Sequence, residues 1–415
     1  MRRPAAAAPP LIVIGASVRA IAASAHRAGW HVHAADLYAD ADLRALSAAT
    51  VQVRSDSDLP WPAGLVPAVA DFPAAPWLYT GALENHPEIV DRLARDRPLA
   101  GNFGATLRAV RDPASLATVV REAGLGFPET FPDPAGLPVD GSFLTKPRAS
   151  AGGRGIAPWR GGAAPAGERV WQRFVRGRPC SVAYAMQRGA ARLFAASRQL
   201  VGRGWCGARG HAWCGAVDVP IESLVGTVRT RLDRLGTALA DRFGLVGLVG
   251  VDLVVDPTGG MNVIEVNPRP TASLELVERA TGASVAVTHV AACGFQAPPN
   301  QPQPAPRGRI WCKAVVFAQD AFRMDDSLAT ALARRADRWA DADDGWPPLA
   351  DVPAPGTLIS AGGPALTVFA VDRSAAAGFA TLRRRVAEVR RMLLAGGVSP
   401  PASVVRPLRP PGSTA

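Results

Sequence analysis

Length, composition and charge restrict what this protein can be. Its 415 residues are enough for two or three domains. The formal net charge is +11, but the arginines are scattered and aromatic residues make up only 6%, so we expect no nucleic-acid partner. Five cysteines, an odd number, argue against a disulfide framework. No apolar run approaches the ~20 residues needed to span a membrane, so we expect a cytoplasmic protein with no membrane partner.

The N-terminal part has the pattern of a doubly wound α/β layer. An apolar strand at residues 11–14 leads into a turn at Gly15, an alanine-rich helix runs to about Gly29, and a second strand covers residues 31–36. This order predicts parallel strands joined by a crossover helix. The turn lacks the further glycines of a dinucleotide-binding fingerprint. We therefore expect residues 1–105 to form a Rossmann-like domain without a dinucleotide.

A short polar segment at residues 79–87 precedes the next predicted helix. Asn85 lies two positions before Pro87, which suits a capping side chain followed by proline in the first turn. We therefore predict that Asn85 caps this helix. A second role stays open for the neighbouring Glu84, whose carboxylate could line a substrate pocket.

Lysine is the most unusual residue type, since it occurs twice against 44 arginines. Lys146 begins the segment Lys-Pro-Arg-Ala-Ser-Ala-Gly-Gly-Arg-Gly at residues 146–155. A compact ammonium group acts as a point charge on a phosphate, whereas a planar guanidinium prefers a two-point contact. Glycines allow unusual φ angles and a close approach of backbone N–H groups to an anion. The segment therefore predicts a phosphate-covering loop.

Two apolar stretches that carry acidic residues follow at residues 249–256 and 261–269. The sequence Pro-Thr-Gly-Gly separates them, so we predict a hairpin. Glu265 and Asn267 are two positions apart and point to the same side of a strand, and pairing can bring Asp252 near them. Carboxylate and amide oxygens suit Mg²⁺, which completes its shell with water and nucleotide phosphates. The hairpin therefore predicts a magnesium site, with Asp256 as the alternative to Asp252.

Together these segments resemble the ATP-grasp enzymes of the carboxylate-amine ligase and biotin-carboxylase-like kinds. The family's Lys-Pro and glycine-rich lid is matched at residues 146–155, and its hinge at residues 171–177 with Ser181. Its metal-binding pattern, Glu-x-Asn-Pro-Arg, is matched at residues 265–269. The resemblance implies an α/β (α+β) protein with the ATP-grasp fold. It also implies that ATP phosphorylates a carboxylate to an acyl phosphate, which an amine captures.

The resemblance assigns roles to individual residues. ATP contacts are implied for the lid and hinge residues Lys146, Gly152, Gly153, Arg154, Gly155, Gln172, Phe174 and Val175. The lysine would hold the α and β phosphates, the glycine-rich loop would close over the β and γ phosphates, and the hinge would border the adenine. Mg²⁺ or Mn²⁺ would be carried by Asp252, Glu265 and Asn267. The catalytic residues would be Lys146 and Arg269, of which the arginine stabilises the transferring phosphoryl group.

One position departs from the family pattern. Many relatives have a further ATP-contacting lysine at the start of the helix before the lid, but this chain has Arg111-Asp112-Pro113 there. Replacement of that lysine by Arg111 and looser ATP binding both stay open. The missing lysine also keeps a non-catalytic nucleotide-binding regulator as an alternative.

The resemblance also divides the rest of the chain. We expect an ATP-grasp domain at residues 106–300 with a central lid subdomain at about 127–172. A Pro/Gln-rich linker at residues 296–307 precedes strands at residues 310–318 and 365–370 and a helix from about Ser374. These predict a small β-rich C-terminal domain at residues 307–397 and a disordered tail at 398–415. Lys313, on the first of these strands, is assigned no chemistry.

Three potential metal ligands lie close together in the sequence, Cys206, His211 and Cys214. A zinc site needs a fourth ligand, and the spacing matches no standard zinc motif. We therefore favour a flexible loop near the substrate that contains incidental cysteines.

The expected function is an ATP- and Mg²⁺-dependent ligase that joins a small-molecule carboxylate to an amine with release of ADP and phosphate. A place in cofactor biosynthesis and a homodimeric state stay open. The nearest alternative is a carboxyphosphate-using carboxylase related to biotin carboxylase.

Overall fold

The computed structural model describes residues 8–55, 60–163, 165–187, 189–299, 308–340 and 345–396. The predicted tail at residues 398–415 and most of the predicted linker lie outside these ranges. Within them, no helix is both long and apolar enough to cross a membrane.

The N-terminal layer is a parallel sheet of four strands in the order β3-β2-β1-β4. The strands are β1 (Pro10–Gly15), β2 (His31–Asp36), β3 (Ala49–Gln52) and β4 (Trp77–Tyr79). The helices of this region are α1 (Arg19–Arg27), α2 (Ala41–Leu46), α3 (Leu65–Ala68), α4 (Pro87–Leu93) and α5 (Gly104–Val110). The predicted strand, helix and second strand are confirmed, because the apolar runs 11–14 and 31–36 form neighbouring parallel strands.

A small antiparallel sheet occupies the segment predicted as the lid. Helix α6 (Pro113–Glu122) precedes it, and its strands are β5 (Thr130–Phe131), β6 (Phe143–Pro147), β7 (Ala157–Pro158) and β8 (Arg169–Arg173), in the order β5-β8-β6-β7. The buried rings of Phe143, Trp159 and Trp171 form its own small core. Local packing therefore fixes the strand that carries Lys146.

An eight-stranded antiparallel sheet forms the largest layer, in the order β13-β12-β9-β10-β11-β14-β18-β16. Its strands are β9 (Arg178–Gln187), β10 (Ala190–Val201), β11 (Trp213–Val219), β12 (Gly247–Val255), β13 (Met261–Asn267), β14 (Ile310–Phe317), β16 (Leu349–Ala350) and β18 (Pro364–Asp372). Strands β15 (Phe322–Arg323) and β17 (Leu358–Ile359) pair separately. The helices are α7 (Gly226–Phe243), α8 (Leu274–Thr281), α9 (Val285–Ala292), α10 (Asp326–Ala340) and α11 (Ala375–Gly396). The strands predicted near residues 310 and 365 thus extend the large sheet through β11.

A buried ion cluster ties the N-terminal layer to the C-terminal strands. Glu275 of α8 accepts hydrogen bonds from Arg19 of α1 at 2.5 and 2.9 Å and from Lys313 of β14 at 3.0 Å. Arg279 adds a bond of 3.3 Å, and Arg19 also contacts Asp351 at 2.9 Å. Burial would raise the pKa of Glu275, but the three cations hold it well below its usual value. Removing one partner of a buried ion pair costs about 3–5 kcal/mol, so Lys313 has a structural role.

A second buried contact, made by His289 of α9, joins α9, the N-terminal layer and β12. Its Nδ1 accepts from the backbone N–H of Leu248 and its Nε2 lies 2.9 Å from the carbonyl oxygen of Ala100. Burial lowers the pKa of His289 from 6.5 to about 4. The neutral ring is therefore the form that fits the folded protein.

This contact predicts an acid-sensitive stability. The pKa is lower in the folded chain, so the stabilisation is complete above pH 6.5 and is lost as the pH falls from 6.5 towards about 4. At pH 5 the loss should reach about 2 kcal/mol. We expect His289→Gln, which keeps a donor and an acceptor, to flatten this pH dependence in denaturant unfolding between pH 7.5 and 5. The exposed His26→Gln is the control and should leave the dependence unchanged. Equal slopes for wild type and His289→Gln would contradict the assignment.

Candidate active site

The hairpin of β12 and β13 brings the predicted metal ligands together. Asp252 is the register partner of Glu265, and Gly250 is the partner of Asn267. The side-chain Nδ2 of Asn267 donates to Oδ2 of Asp252 at 3.1 Å. The three side chains therefore lie side by side, as the spacing of two residues on a strand predicts.

Asp256, the alternative to Asp252, lies outside this group. It follows the end of β12, and its Oδ1 accepts from the backbone N–H groups of Thr258 and Gly260, both at 2.9 Å. Asp256 therefore closes the hairpin turn. The interpretation that Asp256 lies on the same strand face as Asp252 was wrong, because β12 ends at Val255.

The two site carboxylates interact strongly with each other. Burial and the negative charge of Glu265 raise the pKa of Asp252 to about 7, against hydrogen bonds from Ser181 and Gln199. Glu265 is reached by solvent within the cleft. Desolvation by the surrounding protein would raise the pKa of Glu265. The positive charges of Lys146, Arg111 and Arg269 instead lower this pKa below its usual value. Such a pair favours a cation between its oxygens.

Lys146 faces this pair from β6 of the lid sheet. Its Nζ donates to Oε1 of Gln172 on the neighbouring β8 at 3.0 Å, and Nε2 of Gln172 donates to Thr130. Its charge acts on Glu265 across the cleft. Gln172 is thus buried behind the lysine and orients it, while the hinge residues Phe174 and Val175 follow β8. Phe174 is 45% exposed.

The glycine-rich loop is folded down onto the loop between β10 and β11. The carbonyl of Gly152 accepts from the backbone N–H of Trp213 at 3.0 Å. Gly153 has φ +77°, and a Cβ there would lie 2.0 Å from the carbonyl oxygen of His211, so only glycine fits. Arg154, exposed next to Gly155, reaches Tyr38 beyond the end of β2, where its charge opposes the rise in pKa that burial gives the tyrosine.

His211 lies at the contact between this loop and the hinge. Its ring packs edge-on against Phe174, with 6.3 Å between centroids. Burial and the charge of Lys146 lower the pKa of His211. The two cysteines of the same loop, Cys206 and Cys214, point instead into the core around β14 and α11. Among the described residues, no three His, Cys, Asp or Glu side chains converge as a metal site, so the three do not form a zinc site.

Arg111 reaches the lid from the helix side of the cleft. Its Nη1 donates to Oδ1 of Asn85 at 2.5 Å and its Nη2 to the carbonyl of Arg148 at 2.7 Å. Asn85 also donates to the carbonyl of Ser150 at 3.2 Å. The prediction that Asn85 caps α4 was wrong, because α4 begins after His86 without a side-chain cap and the amide is used to hold the lid loop.

Arg269 is paired with Glu84 of the N-terminal layer at 2.6 Å. It also donates to Oδ1 of Asn267 at 3.2 Å, and so connects this pair to the predicted metal ligands. Burial would lower the pKa of Arg269, but Glu84 raises it. Ala82, two residues before Glu84, has φ +77°, a conformation that costs about 1–3 kcal/mol outside glycine. This backbone places the carboxylate of Glu84, which is only 4% exposed, beside the guanidinium.

These contacts link the predicted metal ligands to Arg269 and to Lys146. Two residues that lie in no motif join them: Gln199 of β10 bonds Asp252 at 2.6 Å, and Tyr38 contacts Arg154 from the N-terminal layer. His211, which the sequence placed in a loop near the substrate, packs against Phe174 of the hinge. The proximity of His211 to the glycine-rich loop depends on contacts between segments almost 60 residues apart.

Residues 110–273 match the sequence family described as the ATP-grasp domain. The chain contains an ATP-grasp domain. The match includes Lys146 and the whole hairpin. No curated protein sequence is significantly similar to the chain.

Solved structures extend this likeness to the fold of the whole chain. An N5-carboxyaminoimidazole ribonucleotide synthetase in complex with ADP is 14% identical with a TM-score of 0.66, over 94% of this chain and 98% of its own. Biotin carboxylase from Campylobacter jejuni is 15% identical with a TM-score of 0.63, over 89% of both chains. L-amino acid ligase from Bacillus licheniformis is 14% identical with a TM-score of 0.62, over 92% of this chain and 98% of its own. At such identities the likeness establishes the fold alone.

The position of Lys146 predicts a specific defect in nucleotide binding. From the sequence, Lys146 is expected to contact the phosphates of ATP. Loss of a charged hydrogen bond costs about 1.5–3 kcal/mol, so on this expectation Lys146→Ala should weaken ATP binding roughly 10- to 100-fold. Lys146→Arg should recover only part of the affinity, because its planar group does not fit the space of an ammonium beside Gln172. Calorimetric titration with ATP measures both variants. Arg192→Ala, which removes an exposed charge from the far end of β10, should bind normally, whereas wild-type affinity in Lys146→Ala would refute the assignment.

Proposed function

We propose that this protein is an ATP- and Mg²⁺-dependent ligase that activates a carboxylate as an acyl phosphate and joins it to an amine. The observation that carries this proposal is that the Asp252–Glu265 pair is joined through Asn267 to Arg269, with the charge of Lys146 acting on Glu265 from the lid sheet. Phosphoryl transfer requires positioned charge rather than a covalent protein nucleophile, and the cleft offers such charge from both sides.

On the lid side we assign the nucleotide. Lys146 would contact the α and β phosphates, and the loop of Gly152, Gly153, Arg154 and Gly155 would cover the β and γ phosphates. The hinge of Gln172, Phe174 and Val175 would border the adenine. We further propose that Arg111 serves in place of the lid-proximal lysine of many relatives, which is supported by its charge on Glu265 and its bond to Arg148.

On the hairpin side we assign the metal. Asp252, Glu265 and Asn267 fit Mg²⁺ or Mn²⁺ as hard oxygen donors, and two carboxylates leave coordination positions for phosphate oxygens and water. When bound, the ion would neutralise negative charge on the β and γ phosphates. The pairing of Asp252 with Glu265 and the bond from Asn267 to Asp252 support this assignment.

The acceptor side is assigned to Arg269 and Glu84. Arg269 would stabilise the charge on the phosphoryl group as it passes to the carboxylate substrate. Oε1 of Glu84 holds the guanidinium, while its Oε2 is buried and has no hydrogen-bond partner among the described residues. A buried oxygen of this kind favours an N–H donor, so we propose that Glu84 receives the amine substrate. The division into domains at residues 106 and 307, with a mobile lid at about 127–172, is part of the same proposal.

A trapping experiment tests the reaction whatever the natural amine is. Hydroxylamine added with ATP, Mg²⁺ and a panel of carboxylic acids should give a hydroxamate and one equivalent of ADP, because an acyl phosphate reacts with any strong nucleophile. AMP and pyrophosphate in place of ADP would contradict the acyl-phosphate mechanism.

The same experiment distinguishes the ligase from a carboxyphosphate-using carboxylase. We retain this alternative because the fold is similar to that of biotin carboxylase. ADP release that depends on bicarbonate alone would favour the carboxylase. The variant Glu265→Gln removes the charge of one proposed metal ligand and keeps the size of the side chain. It serves as the negative control and should abolish hydroxamate formation.

A further inference from the structure

Gln199 reaches Asp252 across an intervening strand. It lies on β10, whereas Asp252 lies on β12, and β9 runs between them. Adjacent strands are about 4.8 Å apart, so the two backbones are separated by roughly 10 Å. Even so, Nε2 of Gln199 donates to Oδ1 of Asp252 at 2.6 Å. Only a long side chain that lies flat over β9 can make this bond.

The surface of β9 at this point is shaped for the crossing. Ser181 is the register partner of Asp252 on one side and of Ser197 on the other. Gln199 is two positions from Ser197, so all four side chains share one face of the sheet. Ser181 is buried and small, which leaves room above it for the amide. A larger residue at this position would block the path.

Two neutral amides therefore fix the two oxygens of Asp252. Gln199 donates to Oδ1, and Asn267 donates to Oδ2 at 3.1 Å. The hydroxyl of Ser181 adds a further neutral hydrogen bond to the same carboxylate. Neutral donors of this kind orient a carboxylate without neutralising its charge, so the carboxylate can still attract a cation. Residues that orient a metal ligand in this way typically change metal affinity 10- to 100-fold when they are removed.

We propose that Gln199 is a positioning residue that holds Asp252 in the orientation needed for the metal. The inference rests on the proposed function, since it takes Asp252 to be a metal ligand. It predicts that the length and the N–H donor of this side chain both matter, although Gln199 lies outside the hinge, lid and metal-strand motifs.

The test is the affinity for Mn²⁺ in the presence of ADP, followed by electron paramagnetic resonance of free Mn²⁺. Gln199→Met keeps the reach and volume but removes the donor, and the Mn²⁺ dissociation constant should rise roughly 10- to 100-fold. Gln187→Met makes the same change at an exposed position at the end of β9, and its Mn²⁺ affinity should be unchanged.

Gln199→Asn provides a second variant with less change in chemistry. It keeps the amide but is too short to cross β9, so it should weaken Mn²⁺ binding as Gln199→Met does. Wild-type Mn²⁺ affinity in either folded variant would overturn the positioning role while leaving the proposed function intact. If wild type with ADP binds no Mn²⁺, the proposed function itself fails.

Discussion

Asp252 and Glu265 lie opposite each other on adjacent strands, and the sheet holds their two negative charges together. Carboxylates at neighbouring register positions repel, and partial burial strengthens the effect. Three cations offset this repulsion. They are Lys146 of the lid sheet, Arg111 at the end of α5 and Arg269 just after β13. Each cation comes from a different segment. The carboxylate pair therefore explains why these distant segments converge on one cleft.

The cleft keeps its shape because its walls are tied together elsewhere. The cluster around Glu275 joins α1, α8 and β14, while His289 joins α9 to the N-terminal layer and to β12. Both contacts are buried. The lid loop, in contrast, is held by bonds between single residues, such as Asn85 to Ser150 and Arg111 to Arg148. A loop held by a few side-chain bonds over a tightly connected base suits the proposed binding and release of a nucleotide.

The parts of the fold and site that the sequence predicts are those encoded within one segment. The hairpin follows from two apolar runs separated by a turn, so the pairing of Asp252 with Glu265 could be anticipated before its register was known. The lid loop follows from Lys146 and its glycines. The role of Asn85 could not be predicted. Its amide bonds Arg111 instead of capping the helix, and Arg111 lies 26 residues away in the sequence.

Contacts between strands that are distant in the sequence could not be predicted either. Gln199 can reach Asp252 across β9 because the residue of β9 that lies between them, Ser181, is small. The C-terminal strands join the large sheet through the pairing of β14 with β11, which no local pattern indicates. Lys313, which sequence reasoning left without a role, bonds Glu275 of α8 and so has a structural role. In each case, tertiary packing determines the function of a residue whose local pattern is ordinary.

The central claim is that one nucleotide–metal complex sits between the Asp252–Glu265 pair and Lys146. Crystals grown with ADP and Mn²⁺ test it most directly through anomalous diffraction at the manganese edge. The account predicts an anomalous peak within coordination distance of both carboxylates, with ADP phosphate density between that peak and Lys146. A manganese peak elsewhere, or ADP bound with its phosphates away from Lys146, would contradict it.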